Sequence, residues 1–214
     1  MFFKNISTKF VKFLKLLLNN TTRRGLYYNI AASIELEELI KDLKINVIID
    51  IGSNKGQFIL LAEKLFKNIE IFSFEPISEL YEKQKKFFNN KTNINFFNIG
   101  LGSNKSNMIL NITRKKDSSS FLEVKDSNLL GRDFNIIEKR EILTSTLDDI
   151  LKNYNITGSI LLKLDVQGYE LEVLKGSSTI LKKIKYIIIE IPDKQLYVNQ
   201  DIGNSILNYL KTHN

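Results

Sequence analysis

Cysteine is absent from the chain, which excludes disulfides, thiolate nucleophiles, Cys-ligated zinc and iron–sulfur clusters. A reducing, cytoplasmic setting fits that absence. Proline occurs only at Pro76 and Pro192, and the one histidine, His213, is the penultimate residue; it is read as an ordinary tail residue rather than a catalytic base. No apolar run is long enough to span a bilayer. Neither a Pro/Ser-rich linker nor a repeat divides the 214 residues, so one substantial core is expected.

Acidic residues are missing from the first 34 positions, where Lys4, Lys9, Lys12, Lys15, Arg23 and Arg24 all precede Glu35. Removing those six from the 31 basic residues leaves 25 against 24 acids, so the formal charge of +7 belongs almost wholly to this extension. The rest is nearly neutral and carries no electrostatic footprint for nucleic acid. Residues 1–34 are therefore read as a basic amphipathic N-terminal extension and 35–214 as the domain. On a helical wheel Phe10, Val11, Phe13, Leu14, Leu17 and Leu18 share one side, with Lys4, Lys9, Lys12 and Lys15 on the other. Lysines interrupt the apolar stretch and no small-residue cleavage site follows, which argues against a signal peptide. Two readings stand: a helix lying on an anionic membrane surface, giving peripheral membrane contact, or a helix docking on the domain or on a second copy of the chain.

What is plentiful is alternation. β-Branched apolar runs at Val47–Ile51, Ile69–Phe74, Ile94–Ile99, Ile160–Leu164 and Tyr186–Ile191 read as buried strands. Helical spacing separates them: Phe58, Leu61, Ala62 and Leu65; Leu80, Gln84, Phe87 and Phe88 behind an expected N-cap at Ser78; Leu171 and Leu174 before an expected C-cap at Gly176. Strand alternating with helix predicts an α/β fold with a mostly parallel, doubly wound sheet. From Met108 to Thr146 the rhythm breaks into "MILNIT", "RKKDSSS" and "ILTST". Such an insertion is expected either to wall the substrate side of a pocket or to be a surface loop.

Asp50 ends the first strand, and "GSNKG" places Gly52 and Gly56 at the mouth of the next helix. Glycine permits a tight turn and close ligand approach, and the unpaired N–H groups of a helix start favour an anionic or strongly polar group. The spacing is not the G-x-G-x-x-G of a dinucleotide site, nor a P-loop. The second strand ends in Glu75, which can accept both hydroxyls of a ribose, and "NIGLGS" offers Gly100 and Gly102 for close approach of an adenine. The constellation predicts a nucleoside-containing cofactor, against chance turns in an ordinary α/β domain.

"DIGSNKGQF", "FSFEP" and "LLKLDVQGYELEVLKG" resemble the blocks of the FkbM-like family of S-adenosylmethionine-dependent methyltransferases, in order and spacing, from about Glu35 to Tyr197. The resemblance implies a Rossmann-like class I methyltransferase fold with S-adenosylmethionine as cofactor. It places the methionine part against Asp50, Gly52, Ser53, Asn54 and Gly56, the ribose on Glu75 beside Pro76, the adenine near Gly100 and Leu101, and the methyl acceptor beside Asp165. The better-known members methylate hydroxyls of sugars and natural products, which implies a small-molecule or glycan substrate. Similar proteins continue into two further strands past the last helix, so a sheet truncated at its C-terminal strands is expected, with an edge that a second copy could cover in a homo-oligomer.

Methyl transfer to an alcohol releases a proton, and Asp165 at the end of the fourth predicted strand is its expected receiver. Its basicity is modest, so either the proton leaves late or a neighbouring cation assists. Glu170 and Gln167 are expected to hold the acceptor or to complete an oxygen-ligand site for a divalent metal with Asp165; alternatively Glu170 only caps a helix. Ser118, Ser119 and Ser120 could hydrogen-bond a polyhydroxy substrate. Without cysteine there is no covalent cytosine C5 methylation. With "VQGYE" after Asp165 there is no Asn/Asp-Pro-Pro-aromatic motif of amino-methylating DNA enzymes. A nucleotide-binding oxidoreductase, disfavoured by the glycine spacing, and a non-catalytic scaffold are the alternatives.

Overall fold

The computed structural model describes residues 2–126, 130–191 and 194–213, with side chains described from Phe10 onward. Pro192, Asn214 and the side chains of Lys4 and Lys9 lie outside it. The helices are α1 (Phe2–Leu17), α2 (Asn20–Tyr27), α3 (Glu37–Ile40), α4 (Gln57–Leu65), α5 (Ser78–Phe87), α6 (Leu147–Leu151), α7 (Glu170–Lys175), α8 (Ser178–Leu181) and α9 (Gly203–His213). The strands are β1 (Val47–Ile51), β2 (Glu70–Phe74), β3 (Ile94–Phe97), β4 (Gly100–Leu101), β5 (Ser106–Thr113), β6 (Ile136–Ser145), β7 (Ile160–Leu164) and β8 (Ile184–Ile189).

Five strands form a parallel sheet in the order β3-β2-β1-β7-β8. The chain moves outward from β1 to β3 and then returns to β7 on the other side of β1. The order therefore reverses between β1 and β7, and a crevice opens at the carboxyl ends of those two strands. β1 and β7 are buried at every position, because α helices cover both faces. On one face Ile49, Ile51, Leu162 and Leu164 pack against Leu147, Val173 and Leu174. On the other, Ile48, Ile71 and Leu161 pack against Phe58, Leu61 and Phe87. At roughly 1.5–3 kcal/mol per fully buried aliphatic or aromatic side chain, these two layers dominate the stability of the fold.

The interruption predicted from Met108 to Thr146 is a second sheet of order β4-β6-β5, with β5 and β6 antiparallel and short β4 parallel to β6. Leu110, Ile112 and Ile142 form a small core of their own with Ile77 and Leu80, which seats this sheet against the start of α5.

Several local expectations are corrected. β8 begins two residues earlier than predicted and stops at Ile189, so Glu190 lies past the strand rather than inside it. Ser78 is the first residue of α5, not its cap; Ile77 holds the cap position, and Ser78 Oγ donates to Asn98 Oδ1. Gly176 does cap α7. The extension is two helices, because Asn19 Oδ1 accepts from the N–H groups of Thr21 and Thr22 and restarts the chain as α2. Among the described side chains of α1 the buried apolar one is Leu16, which the helical wheel leaves out, whereas Phe10, Val11, Phe13 and Leu14, and Leu18 just past the helix, are exposed. Leu16, Ile30 and Ala32 join the core on the α4 face. Gly25 lies so close to α4 that a Cβ there would stand 2.2 Å from the Leu60 side chain.

Candidate active site

Register brings the site together. Ile51 pairs with Phe74 and with Leu164, and Leu164 pairs with Ile189. One step further along each strand, Glu75, Gly52, Asp165 and Glu190 therefore stand abreast at the mouth of the crevice. One step back, Asp50 pairs with Ser73 on one side and Lys163 on the other, so these three side chains lie in a row on one face.

The turn after β1 is held by two bonds to one carbonyl, from Gly52 N (3.0 Å) and Ser53 N (3.1 Å) to Phe74 O. Gly52 takes φ +73, and a Cβ on it would stand 1.9 Å from the Asp165 carbonyl oxygen. A Cβ on Gly56, at φ +84, would meet the Phe88 ring at 2.8 Å. The Cβ positions that these two glycines leave open are taken by the chain itself, just past β7 and just past α5. The same holds at Gly100 and Gly102, whose missing Cβ positions are crowded by Phe121 at 2.6 Å and Tyr169 at 3.2 Å. Beneath the turn, Ser73 Oγ donates to Ser53 Oγ (2.8 Å), while Gln84 Nε2 donates to Ser53 Oγ (2.9 Å) and Asn54 O (2.5 Å).

Glu75 is buried, and its two oxygens accept from Asn54 N and Ile77 N, both at 2.8 Å. Burial pushes its pKa up to about 8, against the pull of those two bonds. Asp50 is fully buried beneath the turn and is not among the residues lining the crevice, which corrects the expectation of direct contact with a ligand. Neither of its oxygens has a hydrogen-bond partner. Burial raises its pKa, and Lys163, 3.4 Å from Oδ1, opposes the rise.

Lys163 was not singled out in the sequence, although a lone lysine inside the apolar run "LLKL" is a signal of a paired charge. Its Nζ donates to Gly52 O (3.2 Å) and pairs with Asp165 Oδ2 (3.3 Å) as well as with Asp50. Burial works against the ammonium, but Asp50 and Asp165 together outweigh it and hold its pKa above the ordinary value. Lys163 thus places a cation beside Asp165.

Asp165 lines the crevice, and its Oδ1 accepts from Gln167 Nε2 at 2.7 Å. Gln167 is held at φ +55 and accepts from the Tyr197 hydroxyl at 3.1 Å. Glu170 is buried, and its Oε1 accepts from Val166 N (3.2 Å) and Gly168 N (3.0 Å). The two expectations for it thus resolve to bracing the loop that opens α7. In the folded chain Glu170 Oε1 is occupied by backbone amides and Gln167 turns its amide donor toward Asp165. No group of three or more metal-ligating side chains occurs among the described residues.

The crevice encloses about 560 Å³, within the range of small-molecule sites. Gly52, Ser53, Asn54, Glu75 and Pro76 line it just past β1 and β2, Gly100 and Leu101 line it from β4, and Asp165, Gln167, Glu190, Ser119 and Ser120 also line it. The insertion is its wall, tied to the turn by Asn54 Nδ2 donating to Asp117 Oδ1 at 2.9 Å. Ser120 Oγ donates to Gln167 O at 2.7 Å, and Ser119 Oγ accepts from Thr113 N. Glu190 is the second site residue the sequence reading passed over. Its signal was available, since β1, β2 and β7 also carry an acid at or just past their ends.

Among curated proteins the chain is similar to "Methyltransferase 1" of Beauveria bassiana (strain ARSEF 2860), 26% identical over 177 residues and covering 71% of each protein. Among solved structures it is similar to a precorrin-6y C5,15-methyltransferase from Geobacter metallireducens GS-15, at 12% identity and a TM-score of 0.45 over 86% of this chain and 72% of that one. It is similar also to a SAM-dependent methyltransferase from Aquifex aeolicus, at 11% identity and a TM-score of 0.41 over 91% and 87%. The methyltransferase FkbM domain model matches residues 50–214, from the acid near the end of β1 through Asp165 and Glu190, and the chain belongs to that family of methyltransferases.

Proposed function

We propose that the protein transfers the methyl group of S-adenosylmethionine to a hydroxyl on a sugar, a glycan or a glycosylated metabolite. The observation that carries this reading is Asp165, a crevice-lining carboxylate held by Lys163 and Gln167, whose backbone abuts Gly52 of the β1–α4 turn. The crevice fits the cofactor. Asn54 Oδ1 is a buried acceptor with no hydrogen-bond partner, and an ammonium or hydroxyl donor would satisfy it. In this reading Gly52, Ser53 and Asn54 hold the methionine part, Glu75 with Pro76 the ribose, and Gly100 and Leu101 the adenine. The cofactor supplies a methyl on a positively charged sulfur.

The chain's own residues supply the rest. The β1–α4 turn and the insertion wall hold donor and acceptor in line, which accounts for most of the rate of such a displacement. Asp165 orients the acceptor hydroxyl and receives its proton. Ser119, Ser120 and Gln167 line the acceptor side of the crevice in this reading, and the Ser119 hydroxyl, which accepts from Thr113 N, keeps its proton to donate to a polyhydroxy acceptor. The test is transfer of radiolabelled methyl to a panel of methyl hexosides and methyl 6-deoxyhexosides, with amines and carboxylic acids as competitors. Label is expected on the sugars. Asp165→Asn should keep affinity for S-adenosylhomocysteine while lowering turnover by roughly 10²- to 10⁴-fold, the range for a lost general base. Label appearing only on amines or acids would rule the hydroxyl reading out.

A further inference from the structure

The row of strand ends holds a carboxylate beyond Asp165. Leu164 pairs with Ile189, and Glu190 N donates to Leu164 O at 3.4 Å, so Asp165 and Glu190 leave adjacent parallel strands side by side. Both line the crevice. Lys163 pairs with Asp50 and Asp165, and the carboxylate that stands beside Glu190 just past the end of β7 is Asp165.

We propose that Asp165 and Glu190 form one proton-accepting pair, which takes up the proton of the acceptor hydroxyl as the methyl is transferred. This rests on the hydroxyl reading above and adds a second catalytic carboxylate to it. The transfer forms an O–CH3 bond and breaks the S–CH3 bond with its electron pair left on sulfur. The O–H bond breaks and its proton passes to the pair. Two carboxylates with no proton between them repel; one proton relieves the repulsion and is shared in a hydrogen bond that neither could make alone. A pair therefore binds its first proton more tightly than an isolated aspartate, which brings its basicity nearer to the working pH. Loss of the sulfonium charge and arrival of the proton on the pair leave the net charge of the crevice unchanged.

The groups around Glu190 agree with this placement. Partial burial raises its pKa and Asp165 raises it further, while Lys163 on β7 and Lys115 from the insertion pull it down. Glu190 and Asp165 in turn help to raise the pKa of the Tyr197 hydroxyl, behind burial and Glu170. Asp50 stands one layer behind, compensated by Lys163.

Carboxyl ¹³C NMR of the full chain, labelled at Asp and Glu, tests the pairing without any acceptor. Glu190 is expected to titrate above the ordinary range and to drop by about half a unit or more in Asp165→Asn, within the span that a neighbouring like charge produces. An identical midpoint in both proteins would overturn the pair. Its catalytic role is read separately with Glu190→Gln, a nearly isosteric change just past the end of β8, with the melting temperature measured alongside. On the sugar most readily methylated in the panel, kcat should fall about tenfold or more with KM nearly unchanged, and the acid limb of the pH profile should move to lower pH. A parental kcat and profile would remove Glu190 from catalysis while leaving the hydroxyl reading in place. Absence of methyl transfer to any sugar, alongside a coupled titration, would instead locate the failure in that reading.

Discussion

At the scale of single residues, the glycines and the charges of the site answer to different constraints. Gly52 is required by the chain itself. At φ +73, with the Asp165 carbonyl 1.9 Å from where a Cβ would stand, Gly52→Ala must shift β1 against β7, and urea unfolding should show a loss of about 2 kcal/mol or more. A valine there would unfold the crevice before it could obstruct a ligand. Glu75 supplies a pH signature. With its pKa pushed up to about 8 by burial, the carboxyl is mostly protonated at neutral pH, whereas ribose hydroxyls donating to it favour the ionised form. Affinity for S-adenosylhomocysteine should therefore rise as pH increases toward about 8, by at most about tenfold per unit, and level off above it. Calorimetry should show Glu75→Gln to be weaker and without that slope. Lys163 is where residue identity alone said least. A buried ammonium in an apolar strand announces a partner, but which carboxylates it joins depends on the register of two strands more than a hundred residues apart.

At the scale of elements, β1 and β7 were legible to the residue, because strands covered on both faces read as uninterrupted apolar runs. β8 was misplaced, since "KIKYIIIEI" resumes with an apolar residue after Glu190, past the last ladder pair at Ile189. The start of α5 was misread because Ser78 is a good capping residue whose hydroxyl instead donates to Asn98 Oδ1 from inside the helix. The N-terminal helices show the opposite case. Periodicity identified an apolar side on α1, yet the described structure buries Leu16 and leaves Phe10, Val11, Phe13 and Leu14 exposed, while Lys12 pairs with Glu35 on the domain. No helix among the described residues is long and apolar enough to cross a membrane, but an exposed apolar face with basic neighbours suits a lipid surface. The full chain is expected to sediment with anionic vesicles less as salt rises, and a chain lacking residues 2–14, which keeps Leu16 and α2, is expected to stay in solution. Equal sedimentation of both would leave contact with a second copy of the chain as the explanation for that face.

At the scale of the whole molecule, a ligand that bridges the ends of β1 and β2 and the insertion wall should stabilise the fold as a unit. At a hundred times its dissociation constant, S-adenosylhomocysteine should add about 2.7 kcal/mol and raise the melting temperature by about 5–11 °C for a domain of this size, with no comparable shift from NAD. A rise with NAD alone would favour a dinucleotide site. Much of the plan behind that expectation is written locally. Alternating apolar runs and helical spacing determined a parallel α/β sheet, the "DIGSNKG" and "FSFEP" stretches determined a turn and an acid at neighbouring strand ends, and composition alone excluded thiol chemistry. These properties were readable because burial and backbone geometry act on residues close together in the chain. Only the tertiary structure decided that the glycines make room for the chain just past β7 and α5, that Asp50 lies under the turn, that Lys163 joins three groups, and that Glu190 stands beside Asp165. Each of those depends on strand order and register, which arise from contacts between distant segments and leave no periodic trace in the sequence.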